Sequence, residues 1–323
     1  MSTLFLDHRD LRVQREGQAL AIYRSGERHG TVPFSLLERV VARGAVALDT
    51  AVLGELADAG IATLILSGRQ GRHQAIVLGG GHGEALRRIA QYHLYRDDAW
   101  RLRWSQALVH RKVISQRRLL GIALRERSDL RRPLFEGSQQ LAAILETLRD
   151  DTVPRTLDSL RGSEGAAARS YFAALGALFP PSLNFTGRNR RPPRDPVNAA
   201  LSLGYTLLHF EAVRASHGAG LDPLIGFFHE LEYHRESLAA DLVEPLRAQV
   251  DRWVWDLFRT QALREQNFQT QADGCLLNKA GREIFYRTFE ARMPSVRRLL
   301  RRACYRIAAR LLVDSGLKTT PTS

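Results

Sequence analysis

The sequence predicts an α+β protein in which a small N-terminal β domain is joined by a hinge to a larger all-α domain. Short apolar or alternating runs separated by turn residues fill the first 80 residues, as in a small β domain. A glycine-rich run, GGGHG at residues 79–83, follows them. Beyond it, apolar residues recur at three- and four-residue steps, which is typical of amphipathic helices. We therefore expect domains at residues 1–80 and 81–323.

The N-terminal elements are delimited by glycine, aspartate, serine and histidine. One helix is predicted from near Asp49 to Gly60. The glycine-rich run has neither the Lys-Ser/Thr of a P-loop nor GxGxxG spacing, so it is interpreted as a hinge. The predicted strands are LFL, LRVQ, ALAIYR, GTVPF, IATLIL and QAIVLG.

The second domain is predicted to consist of helices. Ser163 is expected to cap a helix, EGAAARSYFAALGALF, that stops at Pro180 and Pro181. A basic, turn-rich loop follows at residues 184–196, and Ser237 is expected to begin another helix. The other predicted helices are EALRRIAQYHLYRDDAWRLRWSQALVHRKVISQRRLLGIAL, SQQLAAILETLRD, VNAALSLGYTLLHFEAVRASHG and a basic amphipathic VRRLLRRACYRIAARLLV.

Composition excludes several classes of protein. With 323 residues, 44% hydrophobic and 25% charged, the chain is neither disordered, collagen-like nor a disulfide scaffold. Two cysteines are too few for a disulfide framework or a four-ligand zinc site. We read no signal peptide and no apolar run of about 18 residues. A cytoplasmic protein that does not enter membranes is expected.

The charge is strongly positive and unevenly placed. Forty-seven basic residues face 34 acids, a net charge of +13, and only three of the 47 are lysines. Residues 1–80 hold nine arginines and eight acids, so nearly all the excess lies in the second domain. GC-rich codon usage explains arginine in place of lysine but not the net charge. Guanidinium groups match phosphate oxygens in pairs, so a nucleic-acid partner is indicated.

Two residues of the second domain could carry chemistry, and each has an ordinary structural alternative. Glu164 follows Ser163, where an acid at a helix N-terminus is stabilised by the helix dipole. His229 lies in the apolar stretch LIGFFHELEYH, where a histidine is more often a buried core residue than a ligand.

Asp241 and Glu244 lie three residues apart on one predicted helix, so their side chains share a face. A surface pair neutralised by Arg247 is the ordinary interpretation. Pro245 would clash with the carbonyl of Asp241, so the helix should bend or open there. Such acids with an imidazole suit Mg²⁺ or Mn²⁺, which points to a metal-dependent, nuclease-type enzyme.

Three segments of the second domain are distinctive: RGSEGAAARSYF, FTGRNRRPPRDPVNAALSLGYTLL and GLDPLIGFFHE…SLAADLVEPLR. Together they resemble the CRISPR-associated adaptation endonucleases and integrases, the first-numbered Cas family, which serves antiviral defence. The N-terminal segment LERVVARGAVALDTAVLGELADAGIATLILS resembles that family's β domain, and HRKVISQRRLL resembles an early helix of its catalytic domain. The resemblance covers most of the chain.

The resemblance implies an activity and a set of metal ligands. The family inserts short DNA fragments into the CRISPR array by transesterification, in which a fragment's 3′-hydroxyl attacks a phosphodiester at the leader–repeat boundary. Its metal-binding glutamate and histidine correspond to Glu164 in SEG and His229 in GFFHE. The later acid lies in DLxEPxR and corresponds to Glu244, with Asp241 as an acidic neighbour in the catalytic set. Mg²⁺ or Mn²⁺ would be the cofactor.

The resemblance also implies partners. These are double-stranded DNA, both as prespacer fragments and as the leader–repeat, a second copy of the chain paired through the β domain, and a small second Cas adaptation protein. Arginines of the basic loop and of the last helix are then candidate DNA contacts, with solvated surface as the alternative. Lys112 belongs to a weaker patch of the same kind. The candidates are Arg188, Arg190, Arg191, Arg297, Arg298, Arg301, Arg302 and Lys112.

Two other functions fit the same residues. A metal nuclease acting on branched DNA in repair would use the same ligands with water as the nucleophile. A DNA-binding scaffold without enzymatic activity would bind in a salt-dependent way and keep its function when Glu164 or His229 is replaced.

Overall fold

The computed structural model describes residues 2–8, 10–67, 73–79, 85–150, 155–189, 192–233, 235–271 and 274–317. It divides into two compact units, Met1–Gly83 and Glu84–Ser323. The glycine-rich run predicted as a hinge falls at this division, and its residues 80–83 lie outside the described residues. The first unit is rich in strands and the second is helical, which confirms the predicted fold class.

Among its described residues, the first unit contains eight strands and one α-helix. These are β1 (Ser2–Leu6), β2 (Leu11–Glu16), β3 (Ala19–Arg24), β4 (Glu27–Pro33), β5 (Leu37–Arg43), β6 (Ala47–Leu48), α1 (Thr50–Asp58), β7 (Ala62–Leu66) and β8 (His73–Val77). One sheet has the order β1-β5-β7-β8 and the other β4-β3-β2-β6. Helix α1 begins where predicted, because the Asp49 side chain accepts a hydrogen bond from the backbone N–H of Val52.

Strand β5 was not among the strands predicted from turn signals. It lies between β1 and β7 and is parallel to both. Six of its seven residues are buried, so its run of apolar residues lacks the alternation of a strand with one exposed face. Arg39 interrupts that run, yet it is only 1% exposed and donates a hydrogen bond to the hydroxyl of Thr3.

The second unit contains nine helices and one hairpin among its described residues. These are α2 (Ala85–Tyr95), α3 (Asp98–Glu126), α4 (Arg131–Arg149), α5 (Leu157–Gly176), α6 (Pro196–Gly218), α7 (Ser237–Val243), α8 (Arg247–Arg259), β9 (Phe268–Gln271), β10 (Gly274–Leu277), α9 (Lys279–Arg292) and α10 (Pro294–Asp314). The antiparallel β9–β10 hairpin is a departure from the all-α prediction. Helix α6 is buried on nearly every side, as its apolar sequence predicts.

Helix α5 begins seven residues earlier than predicted. Its first residue is Leu157, and Thr156 with Ser159 forms a capping box at the start. Ser163 therefore lies inside the helix, where its hydroxyl donates to the carbonyl of Ser159. The predicted cap at Ser163 is wrong, because the helix already begins at the capping box that Thr156 and Ser159 form, seven residues before the predicted start.

Pro245 opens the helix at the paired acids, as predicted. Helix α7 ends at Val243, a single 3₁₀ turn covers Glu244–Leu246, and α8 begins at Arg247. The backbone nitrogen of Pro245 carries no hydrogen and cannot donate to the carbonyl of Asp241, so the pattern of α-helical hydrogen bonds is interrupted there. This break places Glu244 at a junction between two helices. Among the described residues, no helix is long and apolar enough to cross a membrane.

Candidate active site

Glu164 lies in the third turn of α5, eight residues into the helix. The interpretation of Glu164 as an acid that merely stabilises a helix N-terminus is therefore wrong for this fold. Its side chain is half-buried, at 26% exposure, and its Oε1 atom pairs with the ammonium of Lys112 on α3. An acid held in mid-helix by a buried cation belongs to a cluster of side chains from several elements.

His229 lies in the irregular segment between α6 and α7, and one carboxylate holds it there. The two Asp241 oxygens accept backbone N–H bonds from Phe227 at 2.6 Å, Phe228 at 3.1 Å and His229 at 3.0 Å. Asp241 Oδ1 also lies 2.7 Å from His229 Nδ1. Because the carboxylate accepts at Nδ1, the neutral ring keeps the lone pair on Nε2.

The other side of this segment is held by residues of α2 and α3. The Gln91 side chain is fully buried and donates to the carbonyls of Asp222 at 2.9 Å and Ile225 at 2.6 Å. Its oxygen accepts from the N–H of Asp222 at 2.9 Å. Arg101 Nε donates to the carbonyl of Phe227 at 2.7 Å. A segment without helix or strand is thus fixed by side-chain bonds on both sides.

Glu244, at the Pro245 break, is 6% exposed and faces three basic groups. Its Oε1 atom lies 2.9 Å from Arg247 Nε and 4.0 Å from His229 Nε2, and its Oε2 atom pairs with Lys112. Burial alone would raise the pKa of Glu244, but the charges of Arg247 and Lys112 outweigh burial and lower the pKa to about 2. This carboxyl is ionised throughout the physiological range. Arg247 pairs with Glu244 as the ordinary interpretation expected, but the expectation of a surface pair is wrong, because Asp241 and Glu244 are both buried.

Lys112 is buried within the site, whereas the sequence had placed it in a surface patch. Its side chain is 9% exposed and its ammonium pairs with both Glu164 and Glu244. The signal that could have indicated this position is its residue type, because only three of the 47 basic residues are lysines. In the arrangement shown, no three His, Cys, Asp or Glu side chains of the described segments stand close enough to hold a metal ion.

A second, fully buried layer lies behind Glu244 and was not predicted. The Asp251 carboxylate on α8 accepts from the Tyr171 hydroxyl at 2.6 Å and from the Tyr205 hydroxyl. The guanidinium carbons of Arg247 and Arg188 lie 4.6 Å and 5.3 Å from the centre of the Tyr205 ring. Burial raises the pKa of Asp251 to about 6, although the hydrogen bonds from the two tyrosines act to lower it.

The predicted DNA-contacting arginines fall into different environments. Arg188 donates to the side chain of Asn198 at 2.7 Å and to the Ser202 hydroxyl at 3.0 Å, so it fixes the loop to α6. Arg190 and Arg191 lie outside the described residues. On α10, Arg297 is paired with Glu211 and Glu290 and is 10% exposed. Arg298, Arg301 and Arg302 of that helix are exposed, and so are Arg306 and Arg310.

The family model and the curated relatives place this chain, with its β-rich unit followed by a helical unit, among the CRISPR-associated proteins. The chain belongs to the Cas1 family: the family described as "CRISPR associated protein Cas1" matches residues 4–291. The CRISPR-associated endonuclease Cas1 1 of Thermodesulfovibrio yellowstonii is 39% identical over 321 residues, which covers 98% of this chain and 99% of that protein. The resemblance inferred from the sequence is confirmed.

Solved structures share the fold across nearly the whole chain. The Cas1 protein TM1797 of Thermotoga maritima has a TM-score of 0.84 at 20% identity and covers 100% of this chain and 99% of its own. A casposase bound to an integration product has a TM-score of 0.83 at 21% identity and covers 99% and 92%. A chain of a Cas6-RT-Cas1–Cas2 complex has a TM-score of 0.83 at 21% identity and covers 97% of this chain and 35% of that one.

Replacing Asp241 by alanine is expected to release the segment that carries His229. The backbone N–H groups of residues 227–229 would lose their buried acceptor, and we expect their amide exchange to accelerate by on the order of 100-fold, equivalent to about 3 kcal/mol. Hydrogen exchange read by mass spectrometry checks this, with Asp158→Ala on the exposed first turn of α5 as the control. Unchanged protection in the Asp241→Ala variant would contradict the assigned role.

Asp251 is expected to give a measurable pH dependence of stability. Because its pKa is raised in the folded state, it destabilises the fold above pH 6, and that loss is regained as the pH falls from 6 toward 3.8. Asp251→Asn lacks this titration. We expect its unfolding free energy, relative to wild type, to be higher at pH 7 than at pH 4 by about 2 kcal/mol. Guanidinium unfolding at both pH values measures it, and a difference independent of pH would refute the assignment.

Proposed function

We propose that this chain is a metal-dependent DNA integrase that joins short DNA fragments to a CRISPR array by transesterification at the Glu164–His229–Glu244 cluster. The observation that carries the proposal is that Glu164 and Glu244 pair with one buried ammonium, that of Lys112, while His229 Nε2 lies 4.0 Å from Glu244 Oε1. The family relationship and the casposase titled as bound to an integration product support joining of DNA ends.

The donor set suits Mg²⁺ or Mn²⁺. Two carboxylates and one imidazole nitrogen are ligands that these hard ions accept. Glu244 Oε2 is buried and accepts no well-formed hydrogen bond from the described residues, although it lies against the Lys112 ammonium. That carboxylate oxygen is therefore available to a stronger electrophile. Glu164, His229 and Glu244 would hold the ion, with Asp241 behind His229.

When bound, the ion would supply Lewis acidity, which lowers the pKa of the attacking 3′-hydroxyl and stabilises the charge of the transition state. The residues of the chain prepare the site for this. Asp241 keeps the His229 ring oriented with Nε2 toward Glu244, 4.0 Å away. Arg247 and Lys112 keep Glu244 ionised. The fragment's 3′-oxygen forms a bond to phosphorus, the target strand's 3′-oxygen leaves, and the proton lost by one oxygen is regained by the other.

The proposed partners are double-stranded DNA, a second copy of this chain and a small second Cas protein. Exposed arginines of α10 provide charge for the phosphate backbone, which a transesterifying enzyme must hold along two duplexes. The solved Cas6-RT-Cas1–Cas2 complex contains a chain of this fold, which supports the second Cas protein as a partner. Two copies of the active site would serve the two ends of one fragment.

Strand transfer tests the proposed activity. Labelled duplex DNA with 3′-hydroxyl ends, a leader–repeat plasmid, Mn²⁺ and the companion protein would be incubated with wild type, His229→Ala and Glu244→Gln. We expect wild type to give slower-migrating, joined label. Both variants should lose joining by more than about 100-fold, because even outer-shell partners of metal ligands cost about 10–100-fold. The matched controls are His93→Ala and Glu136→Gln, which change the same residue types at exposed positions.

The same assay separates the rival functions. Nicked plasmid without joined label would support a hydrolytic repair nuclease and would refute the integrase. DNA binding without any cleavage or joining, unchanged in His229→Ala, would support a scaffold and refute both enzymes.

The exposed arginines of α10 are expected to contribute to DNA affinity through phosphate contacts. Changing Arg298, Arg301 and Arg302 to glutamine should weaken binding of duplex DNA and reduce the slope of log K against log[salt] by about 3. Fluorescence anisotropy at several salt concentrations measures both. Arg131→Gln with Arg132→Gln, on exposed α4, is the control, and an equal fall in that variant would argue against α10 as the DNA surface.

A further inference from the structure

The position of Lys112 is unusual for this chain. Nearly every other basic residue is an arginine, and Lys112 is one of three lysines. Its ammonium is buried between Glu164 and Glu244, the two acids of the proposed metal site. An ammonium is a compact point charge on a flexible stem, whereas a guanidinium is a planar fork. Lysine is therefore the basic side chain that most resembles a small hard cation.

In the metal-free protein, the Lys112 ammonium also reduces the repulsion between the carboxylates of Glu164 and Glu244. Two buried carboxylates that share a site repel each other unless a cation lies between them. Arg247 neutralises one oxygen of Glu244, on the side facing His229. Lys112 contacts the other Glu244 oxygen and Glu164 Oε1, so it is the cation common to both acids. With it in place, no three of the described His, Cys, Asp and Glu side chains form a metal-holding group.

We propose that Lys112 is an internal counter-cation that holds Glu164 and Glu244 together in the metal-free protein and is displaced from both when a divalent cation binds. The inference rests on the proposed metal site. A divalent ion on the same two carboxylates would repel the adjacent ammonium, and the flexible lysine stem lets that ammonium withdraw. Metal affinity is then the outcome of a competition, so Lys112 lowers it.

The small number of lysines makes the displacement directly observable. Wild-type protein would be treated with an amine-acylating reagent, with Mn²⁺ or with EDTA, and modification at each lysine quantified by mass spectrometry. In EDTA the buried, doubly paired Lys112 should react slowly. Added Mn²⁺ should raise its modification several-fold and leave Lys279, which is exposed at the start of α9, unchanged. A Lys112 rate that Mn²⁺ leaves unchanged or lowers would overturn the proposal.

A substitution tests the competition from the other side. Lys112→Met keeps the length of the side chain and removes its charge. Titration of Mn²⁺ followed by the electron paramagnetic resonance signal of the free ion should show a dissociation constant about tenfold lower than that of wild type, equivalent to about 1.4 kcal/mol. Lys279→Met is the matched control and should bind as wild type does. Equal or weaker binding by Lys112→Met would count against displacement.

The outcomes distinguish this inference from the function on which it rests. Mn²⁺ binding that is lost in His229→Ala, together with an unresponsive Lys112, would keep the metal site and reject the displacement. Absence of Mn²⁺ binding from wild type and from Lys112→Met would reject both. If Lys112→Met does not fold, the acylation of wild type decides the question alone.

Discussion

The carboxylate of Asp241 accepts hydrogen bonds from three consecutive backbone N–H groups, at residues 227–229, and also binds the ring of His229. The segment between α6 and α7 has no helix or strand of its own, so these bonds replace a hydrogen-bonded ladder. They also keep Gly226 close, since a Cβ there would lie 2.8 Å from Asp241 Oδ2. The orientation of the imidazole thus depends on one buried acid twelve residues away. Within the described part of the chain, the side-chain hydrogen bonds of Asp241 go to that segment, so Asp241 positions His229. Glu244 is the acid that faces Lys112 and Arg247.

The charges of the site are balanced within the helical unit. Glu244 lies between Arg247 and Lys112, and Glu164 shares the same ammonium. Arg247 in turn lies over the ring of Tyr205, whose hydroxyl donates to buried Asp251. Arg188 lies near the same ring, so Tyr205 contacts both an arginine of the basic loop and Arg247, the partner of Glu244. A buried ionic cluster of this kind is costly unless every charge has a partner, and removing one partner leaves the rest uncompensated. The layer behind Glu244 therefore supports the geometry of this cluster.

Local sequence signals predicted much of this molecule. The helix that starts near Asp49, the loop before α6 and the opening of a helix at Pro245 were each correct, because each depends on residues within one or two turns. The start of α5 was wrong, since two competing caps lie close together and the capping box at Thr156 wins. Strand β5 was not predicted, because a strand that is buried on both faces lacks the alternation of apolar and polar residues that marks a half-exposed strand. Lys112 and Arg297 were assigned to basic surfaces, whereas both are buried against acids from distant parts of the chain.

The sequence by itself determined the fold class, the family and the residue types of the site. Periodicity, capping residues and motif spacing all depend on residues that are close together in the chain. Only the tertiary structure decided which groups each of the two neighbouring acids contacts. Asp241 and Glu244 share one short stretch, yet one turns toward backbone N–H groups and the other toward Lys112 on α3. Lys112 and Glu164 are 52 positions apart, and Tyr171 and Asp251 are 80 apart. Contacts of that separation arise from the packing of helices, which brings together charges that have no local relationship in the chain.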